Sequence, residues 1–136
     1  MVTVAVGNEH THASAGTSCT SSTGSDGRPT NQCTDVSYPL PTKGYVTLKP
    51  KRRVRMVFQG HVSSVIIVLR AKAVPEGQSV YAATAGRDSR NSHRFKLLLP
   101  ARLPCARILD ILARAPGGNT DYWTAIRTPG CRRARG

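Results

Sequence analysis

Apolar and polar residues alternate with a two-residue period over 53–58: Val54, Met56 and Phe58 fall on one face, Arg53, Arg55 and Val57 on the other. This is the pattern of a strand with one buried side. The run 62–69 is β-branched and apolar on both faces, as expected of a central strand covered on both sides. Segment 44–49 sets Tyr45 and Thr47 against Val46 and Leu48, while 79–83 and 94–99 give weaker strand patterns and 121–128 a last one. Pro50, Pro75, Pro100, Pro104 and Pro116 fall between these segments, where a missing N–H costs no ladder bond. The spacing predicts a mainly β domain over 37–136, either a small sandwich or a partly open barrel.

One segment breaks the two-residue period. Cys105, Ile108, Leu109 and Leu112 stand at i, i+3, i+4 and i+7, with Asp110 and Arg114 four apart on the polar side. That stripe, with Pro104 at its start and Pro116-Gly117-Gly118 past its end, predicts a short helix over 105–114. The competing pattern is a hairpin, 108–113 turning at Pro116-Gly117-Gly118-Asn119 into 122–128.

The first 42 residues differ in kind, with 6 Ser, 8 Thr and 4 Gly and few apolar residues beyond Val2, Val4, Ala5 and Val6. Such a segment buries too little to offset its chain entropy, so 1–36 is expected to be a Ser/Thr/Gly-rich flexible arm. Its opening residues 1–6 could form a short edge strand, and they lack the basic and apolar regions of a signal peptide.

Composition adds a strong charge asymmetry. The chain has 136 residues with 20 Lys+Arg against 7 Asp+Glu, a net charge of +13. Residues 1–42 carry −2 and the remaining 94 carry +15, so the positive field belongs to the β-rich part. The longest apolar run, 65–69, is far below the roughly 18–20 residues of a membrane-spanning helix.

Lys49, Lys51, Arg52, Arg53 and Arg55 place five cations within seven residues, at the start of the strand 53–58. So dense a cluster suits phosphate reading, although cations on an edge strand also block edge-to-edge pairing. Arg87, Arg90, His93, Arg94 and Lys96 form a second group, and Arg132, Arg133 and Arg135 a third. Sharing one face, the three groups would offer about six to ten phosphate contacts, enough to dominate affinity. Of the aromatic residues, Phe58 and Phe95 read as core, and one of the adjacent Tyr122 and Trp123 is expected to point outward as a stacking platform.

The four cysteines fall into two sequence pairs, Cys19 with Cys33 and Cys105 with Cys131. None has zinc-knuckle spacing, so no metal is expected, and four cysteines allow three pairings besides the fully reduced state. Pairing between neighbours is the economical arrangement, and it would stabilise by roughly 3 kcal/mol per bridge. His10 and His12 would face the same way on an extended strand and could chelate a transition metal weakly. His61 and His93 can be combined on paper with Asp88 or Cys105 into a nucleophile and base. That combination carries no motif, no cofactor-binding pattern is present either, and the protein is expected to be no enzyme.

The phrases 45–58, 107–114 and 121–127 resemble, in their rhythm, the strands of cupredoxin-like sandwiches. The resemblance covers about a third of the chain and implies only a fold, because the His and Cys ligands of a copper site are missing. The sequence therefore predicts a basic protein binding a polyanion, with nucleic acid favoured, as in viral coat or accessory proteins that join a small β domain to a basic segment. Nothing in the sequence fixes whether it forms a homo-oligomer. A secreted, disulfide-stapled module binding glycan or protein is the alternative, and a chain without a well-packed native state is a third.

Overall fold

The computed structural model of the protein describes residues 2–23, 27, 29–35, 46–71, 78–88 and 91–129. Ten strands follow in order: β1 (Val2–Val6), β2 (Glu9–Thr23), β3 (Pro29–Asp35), β4 (Val46–Thr47), β5 (Arg53–Phe58), β6 (Ser64–Arg70), β7 (Ser79–Asp88), β8 (Asn91–Leu98), β9 (Ile108–Ala115) and β10 (Gly118–Arg127). They form one sheet in the order β3-β2-β1-β5-β8-β7-β6-β9-β10-β4, antiparallel throughout except for the parallel pair β4 and β10. β2 is 15 residues long and changes partner along its length. Its residues 9–13 pair with β1 and its residues 14–20 with β10, so the sheet curls until it nearly closes as a barrel.

Alternation explains what fills the interior. Val2, Val4 and Val6 of β1, Val54, Met56 and Phe58 of β5, Val65, Ile67 and Leu69 of β6, and Leu109, Ile111 and Ala113 of β9 are all buried in one core. β5 shows the pattern most clearly, strictly alternating exposed and buried along its six residues. The β1–β2 hairpin turns at Gly7-Asn8, and Gly7 has a φ of 59°, the backbone a type II′ turn needs at its first central position.

Several expectations change. No helix occurs among the described residues: 108–115 is β9, the first arm of the competing hairpin, paired with β6 on one side and β10 on the other. The helical stripe misleads because this strand is covered on both faces, with Leu109 and Ile111 in the core and Ile108 and Asp110 buried on the opposite side. Cys105, assigned to the apolar stripe, is exposed, and Asp110 pairs with Arg70 rather than Arg114. Within the expected arm, residues 9–23 and 29–35 form β2 and β3. Threonine-rich segments make good strands when neighbours supply the ladder, and Thr11 and Ala13 of β2 are buried. β1 accordingly is an inner strand between β2 and β5, not an edge. On β6, Val68 is covered on the outer side but Ile66 is 40% exposed, so the double covering extends over only part of that strand.

No helix among the described residues is long and apolar enough to cross a membrane.

Candidate polyanion interface

β5 and β8 pair with Arg53 opposite Leu98, Arg55 opposite Lys96 and Val57 opposite Arg94. Residues directly opposite one another project from the same side of a sheet. Val54, Met56 and Phe95 turn inward and are buried, so Arg53, Arg55, Arg94 and Lys96 stand together on the outer face, all exposed. The register thus joins two basic groups that lie some forty residues apart in the chain. The neighbouring β1 adds Ala5 beside Arg55 and Thr3 beside Val57, and beyond it β2 sets His10 opposite Ala5 and His12 opposite Thr3. Both imidazoles therefore border the basic face, with His12 Nδ1 3.3 Å from Thr3 Oγ1.

Among the described residues, no carboxylate neutralises these cations. Glu9 accepts hydrogen bonds from the Thr47 backbone N–H at 3.0 Å and hydroxyl at 3.4 Å, Asp110 and Asp121 lie on β9 and β10, and Asp88 ends β7. Among the described residues, none of Arg53, Arg55, Arg94 and Lys96 has an ion-pair partner. Arg55 and Lys96 face one another directly across the two strands, a like-charge arrangement that destabilises a sheet.

Lys49, Lys51 and Arg52, all exposed, lie in the turn that leads into β5. The Arg52 N–H donates to Lys49 O at 3.2 Å, the Lys51 N–H to Pro100 O at 3.2 Å and the Leu99 N–H to Arg52 O at 2.9 Å, which anchors the turn to the end of β8. Pro50 occupies the second position and Lys51 the third, with a φ of 62°, where a type II turn favours glycine. A lysine in the left-handed region costs about 1–2 kcal/mol, so the turn holds a cation at the expense of stability. Lys51→Gly is expected to raise the thermal midpoint by a few degrees while advancing elution from an anionic matrix, which a melt and a salt gradient on the same protein would check.

Arg87 is used differently from the other sequence candidates. Its Nη2 donates to Val62 O at 3.1 Å and Ser63 O at 3.3 Å, and its guanidinium carbon lies 6.0 Å from the centre of the Phe95 ring. Arg90, Arg132, Arg133, Arg135 and Cys131 lie outside the described residues. Cys19 and Cys33 are opposite one another in the β2–β3 ladder, and Cys105 is disulfide-bonded. His93, grouped on paper with His61, donates from Nδ1 to Gly60 O at 2.6 Å.

The aromatic expectation needs correction. Phe58 and Phe95 are core residues, edge to face at 5.7 Å, and Phe58 meets Tyr122 at 5.9 Å. Tyr122 points inward and is half-buried, whereas Trp123 lies on the outer side of β10 but is only 8% exposed. Neither offers an open platform beside the basic residues.

Sequence reasoning missed a second cluster. Trp123 lies opposite Asp110 in the β9–β10 ladder, which sets Asp121, two residues before it, diagonal to Asp110 on the same outer side. Arg70 Nε donates to Asp110 Oδ2 at 3.1 Å. Burial, and then the hydrogen bond and negative charge of Asp110, push the Asp121 carboxyl from 3.8 up to about 8, against the opposing pull of Trp123 and Arg70. Oδ1 of each aspartate is buried without a donor, and a proton on Asp121 supplies one. The signal was a lone aspartate inside an otherwise apolar strand, legible only in the hairpin register.

Neither a protein-family model nor a curated protein nor a solved structure matches the chain.

Proposed function

We propose that the protein is a non-enzymatic polyanion-binding protein, with nucleic acid as the favoured ligand, and that the outer face of β5 and β8 is its contact surface. The observation that carries this reading is the juxtaposition of Arg55 with Lys96, flanked by Arg53 and Arg94, with no carboxylate of the described residues paired to them. An arrangement that costs stability in the free protein becomes favourable when phosphates sit between the cations. Lys49, Lys51 and Arg52 extend the surface at one end, and the exposed side chains of Val57 and Leu98 supply apolar contact within it. Contacts of this kind read backbone charge, not base sequence, so binding falls steeply with salt. The test is retention on immobilised DNA, RNA and heparin under a salt gradient. Elution of the protein at low salt from all three matrices would remove the reading.

The disulfide at Cys105 favours a second reading, a secreted disulfide-stapled module whose charge serves anionic glycans or a protein partner. Thiol titration of the unreduced protein in denaturant is expected to find at most two free thiols, and a reductant is expected to lower stability by roughly 3 kcal/mol for each bridge opened. Four titratable thiols would end the secreted reading.

A further inference from the structure

Next to the basic face, one end of the barrel holds a cavity of about 210 Å³, lined among others by Phe58, Gln59, His61, Ala115, Thr120 and Tyr122. An apolar cavity of about 150 Å³ is known to hold benzene, so this half-open space of about 210 Å³ has the volume for one planar ring. Its apolar wall is Phe58, held edge to face by Phe95 at 5.7 Å and by Tyr122 at 5.9 Å. Its polar rim is the exposed loop that carries Gln59 and His61.

That loop is fixed in place before any ligand arrives. His93 Nδ1 donates to Gly60 O at 2.6 Å, Arg87 Nη2 donates to Val62 O and Ser63 O, and the Ser63 N–H donates to Arg114 O at 2.7 Å. The loop is also adjacent to the cations: Phe58 directly follows Val57, which faces Arg94, and Arg94 directly follows His93. A nucleotide chain lying along β5 and β8 would therefore run toward the loop that rims the cavity.

We propose that this cavity receives one unpaired nucleobase of a single-stranded nucleic acid whose phosphates lie on the basic face. This inference rests on the polyanion reading above and narrows it from polyanions in general to single strands. A flat ring against the half-buried Tyr122, with amide and imidazole groups at the rim to meet its edge, is the chemistry of base capture. A paired base cannot leave its stack without an unstacking cost, so duplexes gain nothing from the cavity.

The test compares a single-stranded oligonucleotide containing one 2-aminopurine, the matching duplex and heparin at equal salt, with Ala115→Leu to fill the cavity and Gln59→Ala to strip its rim. The single strand is expected to bind about tenfold tighter than the duplex, with quenched 2-aminopurine fluorescence. Ala115→Leu should abolish that excess and the quenching while leaving duplex and heparin affinity unchanged, and Gln59→Ala should reduce both. Equal single-strand and duplex affinity, or an excess that survives Ala115→Leu with the fold intact by circular dichroism, would overturn the cavity's role and leave the basic face standing. Loss of binding to every polyanion would instead refute the underlying reading.

Discussion

Changing Arg53, Arg55, Arg94 and Lys96 together to glutamine is expected to weaken nucleic-acid binding about 1,000-fold at roughly 0.1 M salt and to lower the slope of log K against log salt by about 3.6. The slope follows from about 0.9 counterions released for each phosphate neutralised on duplex DNA, and the affinity follows from that release at this salt concentration. The four residues are exposed and outward-facing, and their inward neighbours are untouched, so the fold has no reason to suffer. Removing the Arg55–Lys96 repulsion should hold or raise the thermal midpoint. Loss of binding together with equal or greater stability is the signature of a surface kept for a ligand. Unchanged elution from DNA and heparin would exclude this face, and a collapsed midpoint would mean that the cations hold the sheet together.

How much of this was legible before the fold was known depends on the range of each interaction. The strand Arg53–Phe58 was readable residue by residue because its alternation is local and only one of its faces is buried. β9 was not, because burial on both faces erases the two-residue period and leaves an apolar run that satisfies a helical template by coincidence. The strands in the Ser/Thr-rich segment were hidden for the opposite reason: β2 draws its order from ladders to β1 and β10 more than from its own apolar content. The basic residues were visible as letters, but their union on one face is a property of the β5–β8 register, which no local pattern encodes. The same limit hid the Asp110–Asp121 pair, whose members meet only once β9 and β10 are antiparallel with Trp123 opposite Asp110.

That pair gives the protein a pH dependence of unusual sign. The Asp121 carboxyl titrates near 3.8 in the unfolded chain and near 8 in the folded one, where burial and the neighbouring Asp110 disfavour its charge. Folding therefore takes up a proton across that interval. The stability linked to this group is complete below about pH 4, declines as pH rises through the window, and is gone above about pH 8. The full displacement would correspond to about 5–6 kcal/mol for a wholly desolvated carboxyl, and half-burial screens it to about 2–3 kcal/mol. Asp121→Asn keeps the shape and supplies a permanent donor toward Asp110, so the variant should match the wild type near pH 4 and exceed it by about that amount at pH 8.5. Urea midpoints at the two pH values for both proteins make the comparison. Parallel pH profiles for wild type and variant would show that Asp121 stays ionised in the folded barrel, and that Arg70 and Trp123 outweigh Asp110 in setting its charge.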